Sequence, residues 1–124
     1  MSEGRPICNL LVIRSKDMER AVAFYEMLGM SFSKHSHGKG PMHYASDEHG
    51  FVFEIYPARS ESDDTTSTRL GFQVADVDCV VNRISASGAT IRTSPADTEW
   101  GRRAVVRDFD GHTVELVTPV EQYD

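Results

Sequence analysis

At 124 residues and a formal net charge of −6, the chain has the size and balance of one acidic domain, and it lacks the basic footprint of a nucleic-acid binder. No apolar run approaches the roughly 20 residues that span a bilayer, and 40% hydrophobic with 26% charged residues is enough for a real core. The start Met1 to Pro6 lacks a signal-peptide core and Cys8 and Cys79 lack metal-type spacing, so a cytoplasmic protein with two reduced, buried thiols is expected.

Ile7 to Ile13 reads as a buried strand. Asp17 stands at an N-cap, Met18, Ala21/Val22, Tyr25 and Leu28 recur at helical spacing, and Gly29 is the stop. Strands follow at Ser31 to His37, Met42 to Ser46 and Phe51 to Tyr56, with Gly38 to Pro41 as a loop and Pro57 as the end. Residues 58–68 are polar and without period, a linker.

After the linker the pattern starts again. Leu70 to Val74 is a strand, Asp76 caps a helix with Val77, Val80/Val81 and Ile84 inward, and Gly88 stops it. Twelve residues separate cap from stop in both copies. Strands at Thr90 to Thr93, near Trp100 to Arg107, and at Thr113 to Val117 complete the second unit; Asp110-Gly111 is the tight turn before the last. Val114-Glu115-Leu116 mirrors Phe53-Glu54-Ile55. The reading is α+β: two βαβββ modules, 1–57 and 69–124, forming facing curved mixed sheets around a cavity within one domain.

Strand alternation assigns Leu11, Ile13, Phe53 and Ile55, with Leu70, Phe72, Val114 and Leu116, to the helix faces. The opposite faces then carry Leu10, Val12, Glu54 and Tyr56 in one module and Arg69, Gly71, Gln73 and Glu115 in the other. With a turn at Glu48-His49, His43 falls across from Glu54. A carboxylate in mid-strand among apolar residues calls for solvent, a partner or a metal. His35 and His37 read as a solvated edge, and His49 and His112 as solvent-facing turn residues. Trp100 and Tyr56 are candidate walls for a planar ligand. Arg102 and Arg103 alternate, so one faces the cavity when Ala104 is matched with Glu115; Arg102 is carried as the candidate.

The stretches Arg14 to Met30, with its Phe-Tyr-x-x-Leu-Gly element, Phe72 to Asp78, and Asp108 to Leu116, with Asp-x-Asp-Gly-x-x-x-Glu-Leu, resemble the vicinal oxygen chelate superfamily. That superfamily includes glyoxalase I, bleomycin-resistance proteins and extradiol dioxygenases. The resemblance implies a divalent ion held by two first-strand and two last-strand side chains. The last-strand positions fall on Glu54 and Glu115, and the first-strand positions on Leu10 and Arg69, neither of which binds a cation. Asn9 could serve only through a bulge. Arg69 is expected to stand in for the ion by pairing with the acids, leaving no tightly bound metal. The alternative keeps nickel, zinc, manganese or iron on Glu54, Glu115 and His43.

Two functions follow from the resemblance. One is a glyoxalase-like lyase or isomerase acting on a small carbonyl or thiol adduct, with Glu54, Glu115 and His43 as catalytic groups and Arg69, Tyr56, Gln73, Trp100 and Arg102 on the substrate. The other is a metal-free protein that sequesters a drug or metabolite. True glyoxalase I activity is not expected, since half the metal quartet is missing. The partner is a small molecule, and exposed sheet edges favour a homodimer.

Overall fold

The structure, a computed structural model, describes residues 4–120. The first three and last four residues, with the outer limits of both modules and part of the polar N-terminus, lie outside the described residues. The first module is β1 (Leu10–Ser15), α1 (Met18–Glu26), β2 (Ser33–His35), β3 (His43–Glu48) and β4 (Phe51–Pro57). The second is β5 (Leu70–Gln73), α2 (Val77–Ala86), β6 (Ile91–Thr98), β7 (Gly101–Arg107) and β8 (Thr113–Pro119). Each folds as a four-stranded mixed sheet, ordered β1-β4-β3-β2 and β5-β8-β7-β6, with the first and last strands of each module parallel. The α+β architecture of two repeated βαβββ units is therefore the one expected.

The caps explain why the copies superpose in sequence. Asp17 accepts the Arg20 amide at 3.2 Å and Asp76 that of Cys79 at 3.1 Å, satisfying an orphan donor at each helix start. Gly29 and Gly88 end the helices at φ 105° and 89°, a region costly for any residue with a Cβ. β6 runs further than expected, through Pro95 to Thr98, with register shifts along it. It is an edge strand, where a missing amide donor and a bulge are both tolerated.

The helix faces of both sheets merge into one core. Phe72 of β5 lies 5.7 Å from the Phe53 ring and 5.8 Å from that of Tyr25, and Phe24 meets Phe109 edge-on at 5.8 Å. These contacts join the modules back to back. The faces opposite the helices are open by comparison: Leu10 is 52% exposed, and Arg69, Gly71 and Gln73 are exposed as well.

Two registers differ from expectation. The β3–β4 turn is His49-Gly50, both at positive φ, so Ala45 rather than His43 lies opposite Glu54. A shift of two keeps His43 on the same face. In the other hairpin Val105, not Ala104, lies opposite Glu115. A shift of one reverses faces, which turns Arg103 rather than Arg102 toward the acid.

Three environments are also corrected. His112 is fully buried rather than solvent-facing, because it shares the inward parity of Val114 and Leu116. Cys8 and Cys79 are exposed free thiols, since β1 begins only at Leu10 and Cys79 lies on the outer side of α2. The linker is not featureless: it carries a 3₁₀ turn at Glu61–Asp63, and Thr65 ties it to both modules.

Candidate functional site

The first module places its acid on β4. Glu54 is 18% exposed at the side chain, and its Oε2 lies 3.5 Å from Nε2 of His43 in β3. His43 is 2% exposed and stacks on Tyr56, ring centres 4.2 Å apart and planes within 6°. Its Nδ1 lies 3.2 Å from the carbonyl oxygen of Pro41, which can only accept, so Nδ1 carries the proton. Nε2 has no hydrogen-bond partner among the described residues. Arg14 sits 5.2 Å from the Tyr56 ring centre, so the aromatic wall expected of Tyr56 is already partly used by its own neighbours.

The second module solves the same problem with fixed charge. Glu115 on β8 accepts from Arg103 Nε at one oxygen and from Arg69 Nη2, at 3.5 Å, at the other. The Arg103 hydrogen bond holds the Glu115 carboxyl below its ordinary range, with Arg69 adding to the effect and slight burial opposing it. Arg69 stays 55% exposed at the side chain, so it reaches solvent while touching the acid. One carboxylate between two guanidiniums leaves this face net positive.

Other expected site residues lie apart. Arg102 points to α2 and β6, holding Asp78 through two bonds of 3.1 Å and Asp97 at 3.2 Å. Trp100 is 66% exposed in the β6–β7 turn. Gln73 lines a largely apolar cleft of 340 Å³ between the modules, with Leu11, Met30, Phe51, Phe53 and Phe72. A second, polar cleft of 360 Å³ is lined by Arg14, Lys16, Asp64 and Asp110 among others. Neither is lined by Glu54 or Glu115.

Sequence reasoning missed a buried network behind the β7–β8 turn. Asp108 Oδ1 accepts the amides of Asp110, Gly111 and His112 at 2.9–3.0 Å. Its Oδ2 accepts the Tyr25 hydroxyl at 2.6 Å and His112 Nδ1 at 2.8 Å. His112 Nε2 then meets the Thr65 hydroxyl at 2.7 Å, and that oxygen accepts the Arg14 amide at 3.0 Å. Burial alone would raise the Asp108 carboxyl, yet the His112 and Tyr25 hydrogen bonds bring it below its ordinary value. The Tyr25 hydroxyl is pushed well up, first by burial and then by Asp108. The order Thr-His-Asp is that of a nucleophile relay, but the buried Tyr25 and the Arg14 amide make it a staple across linker and modules. The signal available was parity: His112 alternates with Val114 and Leu116, the inward residues of β8.

Two metal sites can be tested on donor chemistry. Asp108, Asp110 and His112 bring ligand-type atoms within 4.8 Å of one another. Both Asp108 oxygens and both His112 nitrogens are, however, occupied by the bonds just described, and Asp110 accepts the Lys16 amide at 3.1 Å. The four positions that the resemblance implies also do not fit a divalent ion. Leu10 offers no donor and Arg69 brings its own positive charge to Glu115.

Comparison with known proteins agrees with the fold. A family model described as Glyoxalase/Bleomycin resistance protein/Dioxygenase superfamily matches residues 7–116. An uncharacterised protein of Mycolicibacterium smegmatis is 28% identical over 113 residues, 91% of this chain and 94% of that one. Among solved structures, TnmS3, an antibiotic binding protein from Streptomyces sp. CB03234, is 24% identical with a TM-score of 0.73, covering 96% of this chain and all of its own. Oxidase ChaP-H2 is 18% identical with a TM-score of 0.68 over 93% of this chain and 94% of its own. At these identities the structural likeness establishes the fold alone.

Proposed function

The chain belongs to the Glyoxalase/Bleomycin resistance protein/Dioxygenase superfamily, and from that membership we propose that it is a binding protein for a small organic molecule rather than a metal-dependent lyase of the glyoxalase I kind. The observation that carries this is Glu115 clamped between Arg103 and Arg69. A metal-assisted proton transfer needs a Lewis acid with an open position and a base poised near neutrality. Here the last-strand acid is held ionised and stabilised by two arginines, which makes it a poor base. The same pair of guanidiniums suits a carboxylate or phosphate on the ligand, with Arg69 the reachable one. TnmS3, an antibiotic binding protein of the same fold, supports binding of a small organic molecule.

A second copy of the chain completes the binding surface in this reading. The open faces are unlike in charge: Glu54 beside a buried histidine on one, two arginines around one acid on the other. Laying the first module's face on the partner's second closes a hollow with both walls present and opposite charges across it. Light scattering then gives twice the chain mass of 13.8 kDa.

The Glu54–His43 contact favours a second reading, a lyase or isomerase acting on a small carbonyl or thiol adduct, because a carboxylate beside an imidazole is a usable acid–base pair. Calorimetry with an aromatic carboxylic acid reports on the choice. Saturable binding, with no turnover of methylglyoxal and glutathione with or without nickel or zinc, is expected. Turnover abolished by Glu54→Gln would overturn the sequestration reading.

A further inference from the structure

Three imidazoles of the first module gather on the face that carries Glu54. His35 in β2 is the cross-strand partner of His43, and His37 follows two residues on. Their ring centres lie 5.3 Å apart for His37 and His43, 5.9 Å for His35 and His43, and 6.1 Å for His35 and His37. His43 is the anchor, almost wholly buried, with Nδ1–H committed to Pro41 and an unpartnered Nε2. A backbone carbonyl on one ring nitrogen fixes the tautomer that leaves the other nitrogen as a ligand. A carboxylate oxygen of Glu54 lies 3.5 Å from Nε2. Two lone-pair groups this close in a nearly dry place repel unless a cation sits between them.

We propose that His43, Glu54, His37 and His35 form a binding site for a divalent transition-metal ion of the zinc, nickel or cobalt class. A proton would relieve the Glu54–His43 contact alone but gives no role to the other two rings. Two imidazoles on one tetrahedral ion, bonded at about 2.1 Å, have ring centres roughly 5 Å apart, close to the spacing found here. Imidazole nitrogen with one carboxylate oxygen is the donor set such borderline ions take. His35 and His37 now lie nearly parallel, at 10°, and both are exposed, so turning their rings toward the ion gives up only loose stacking among the imidazoles themselves. The site shares only Glu54 with the family's four positions; its other donors come from the β2–β3 side of the sheet. It lies on the face that the proposed dimer turns toward the hollow, but metal binding is read in the absence of any organic ligand, so its failure and that of the ligand-binding reading are told apart.

The test is titration of the untagged full chain with cobalt(II), followed by its visible spectrum, and with zinc by calorimetry. One ion per chain is expected, with the absorption of a low-coordinate cobalt–imidazole centre. Affinity falls about ten-fold or more in His35→Ala/His37→Ala and in Glu54→Gln, and is unchanged in Asp110→Asn. The double variant changes only exposed edge residues and keeps the wild-type melting curve. Absence of saturable binding at millimolar metal overturns the proposal, as does wild-type affinity in the double variant. Loss in Asp110→Asn would put the ion at the β7–β8 turn, and loss in Glu115→Gln equal to that in Glu54→Gln would put it between the two acids; either overturns it.

Discussion

The two modules repeat one another down to the acid of the last strand, yet they set different chemistry beside that acid. In the first, Glu54 meets a buried histidine whose charge depends on protonation; in the second, Glu115 meets two arginines whose charge is permanent. Their hairpin turns diverge in the same way. The β3–β4 turn closes on His49-Gly50, both at positive φ, with no side-chain hydrogen bond to it among the described residues and Asp47 exposed beside it. The β7–β8 turn is fastened by Asp108, which follows the last paired residue of β7 and is buried among five donors. One backbone plan thus accepts a loose or a locked turn, and a switchable or a fixed counter-charge. What each face can do lies in those partners rather than in the fold.

The turns break the symmetry most. Asp108→Ala leaves three amides, the Tyr25 hydroxyl and the His112 ring without their acceptor, and is expected to cost about 3 kcal/mol or more. Asp47→Ala removes an exposed carboxylate and is expected to change stability by less than about 0.5 kcal/mol. Urea unfolding of the two variants measures the difference; equal losses would show that Asp108 is not the fastening group.

That asymmetry also marks where sequence reading succeeded. Caps, stops and hydrophobic alternation are local signals, and Asp17, Gly29, Asp76 and Gly88 placed both helices within a residue or two. Face assignment survived in the first hairpin because the turn moved the register by an even number. It failed for Arg102 because the second register moved by one, which no local signal reveals when Val105 and Ala104 are equally apolar. The Asp108 network was hidden for a different reason. Its members, Tyr25, Thr65 and His112, come from a helix, a linker and a strand, and only tertiary packing brings them together.

Acid sharpens the comparison next. The Glu115 carboxyl is lowered by Arg103 and then Arg69, and that of Asp108 by His112 and Tyr25 against the opposing effect of burial. Both fold with values below their ordinary 4.5 and 3.8, so the stability they contribute is complete above those values and is lost as pH falls through the lower folded ones. Melting temperature is therefore expected to drop below about pH 4, and the drop to shrink in an Asp108→Asn chain relative to its own neutral value. A slope unchanged in that variant would remove Asp108 from the account.

The third break lies in the fixed pair itself. Arg103 is three-quarters covered and Glu115 about two-thirds, so their coupling exceeds that of a fully exposed pair but stays small, about 1 kcal/mol in a double-mutant cycle of Arg103→Met and Glu115→Gln. A coupling near zero would make Arg103 a packing residue and return Glu115 to solvent control.

Arg69 gives the smallest effect on stability and the most informative one. Its side chain is more than half exposed and reaches Glu115 only at 3.5 Å, so Arg69→Met is expected to cost less than about 0.5 kcal/mol. If the guanidinium is there for a ligand anion, the same change weakens calorimetric binding of an aromatic carboxylic acid by about ten-fold, since a charge-assisted bond contributes about 1.5 kcal/mol or more. Stability and binding thus separate at Arg69, whereas Arg103→Met lowers both because it also orients the acid. A chain in which Arg69→Met melts as wild type and binds as wild type would leave the positive face without a ligand role, and the two modules would differ only in how each keeps its own carboxylate in place.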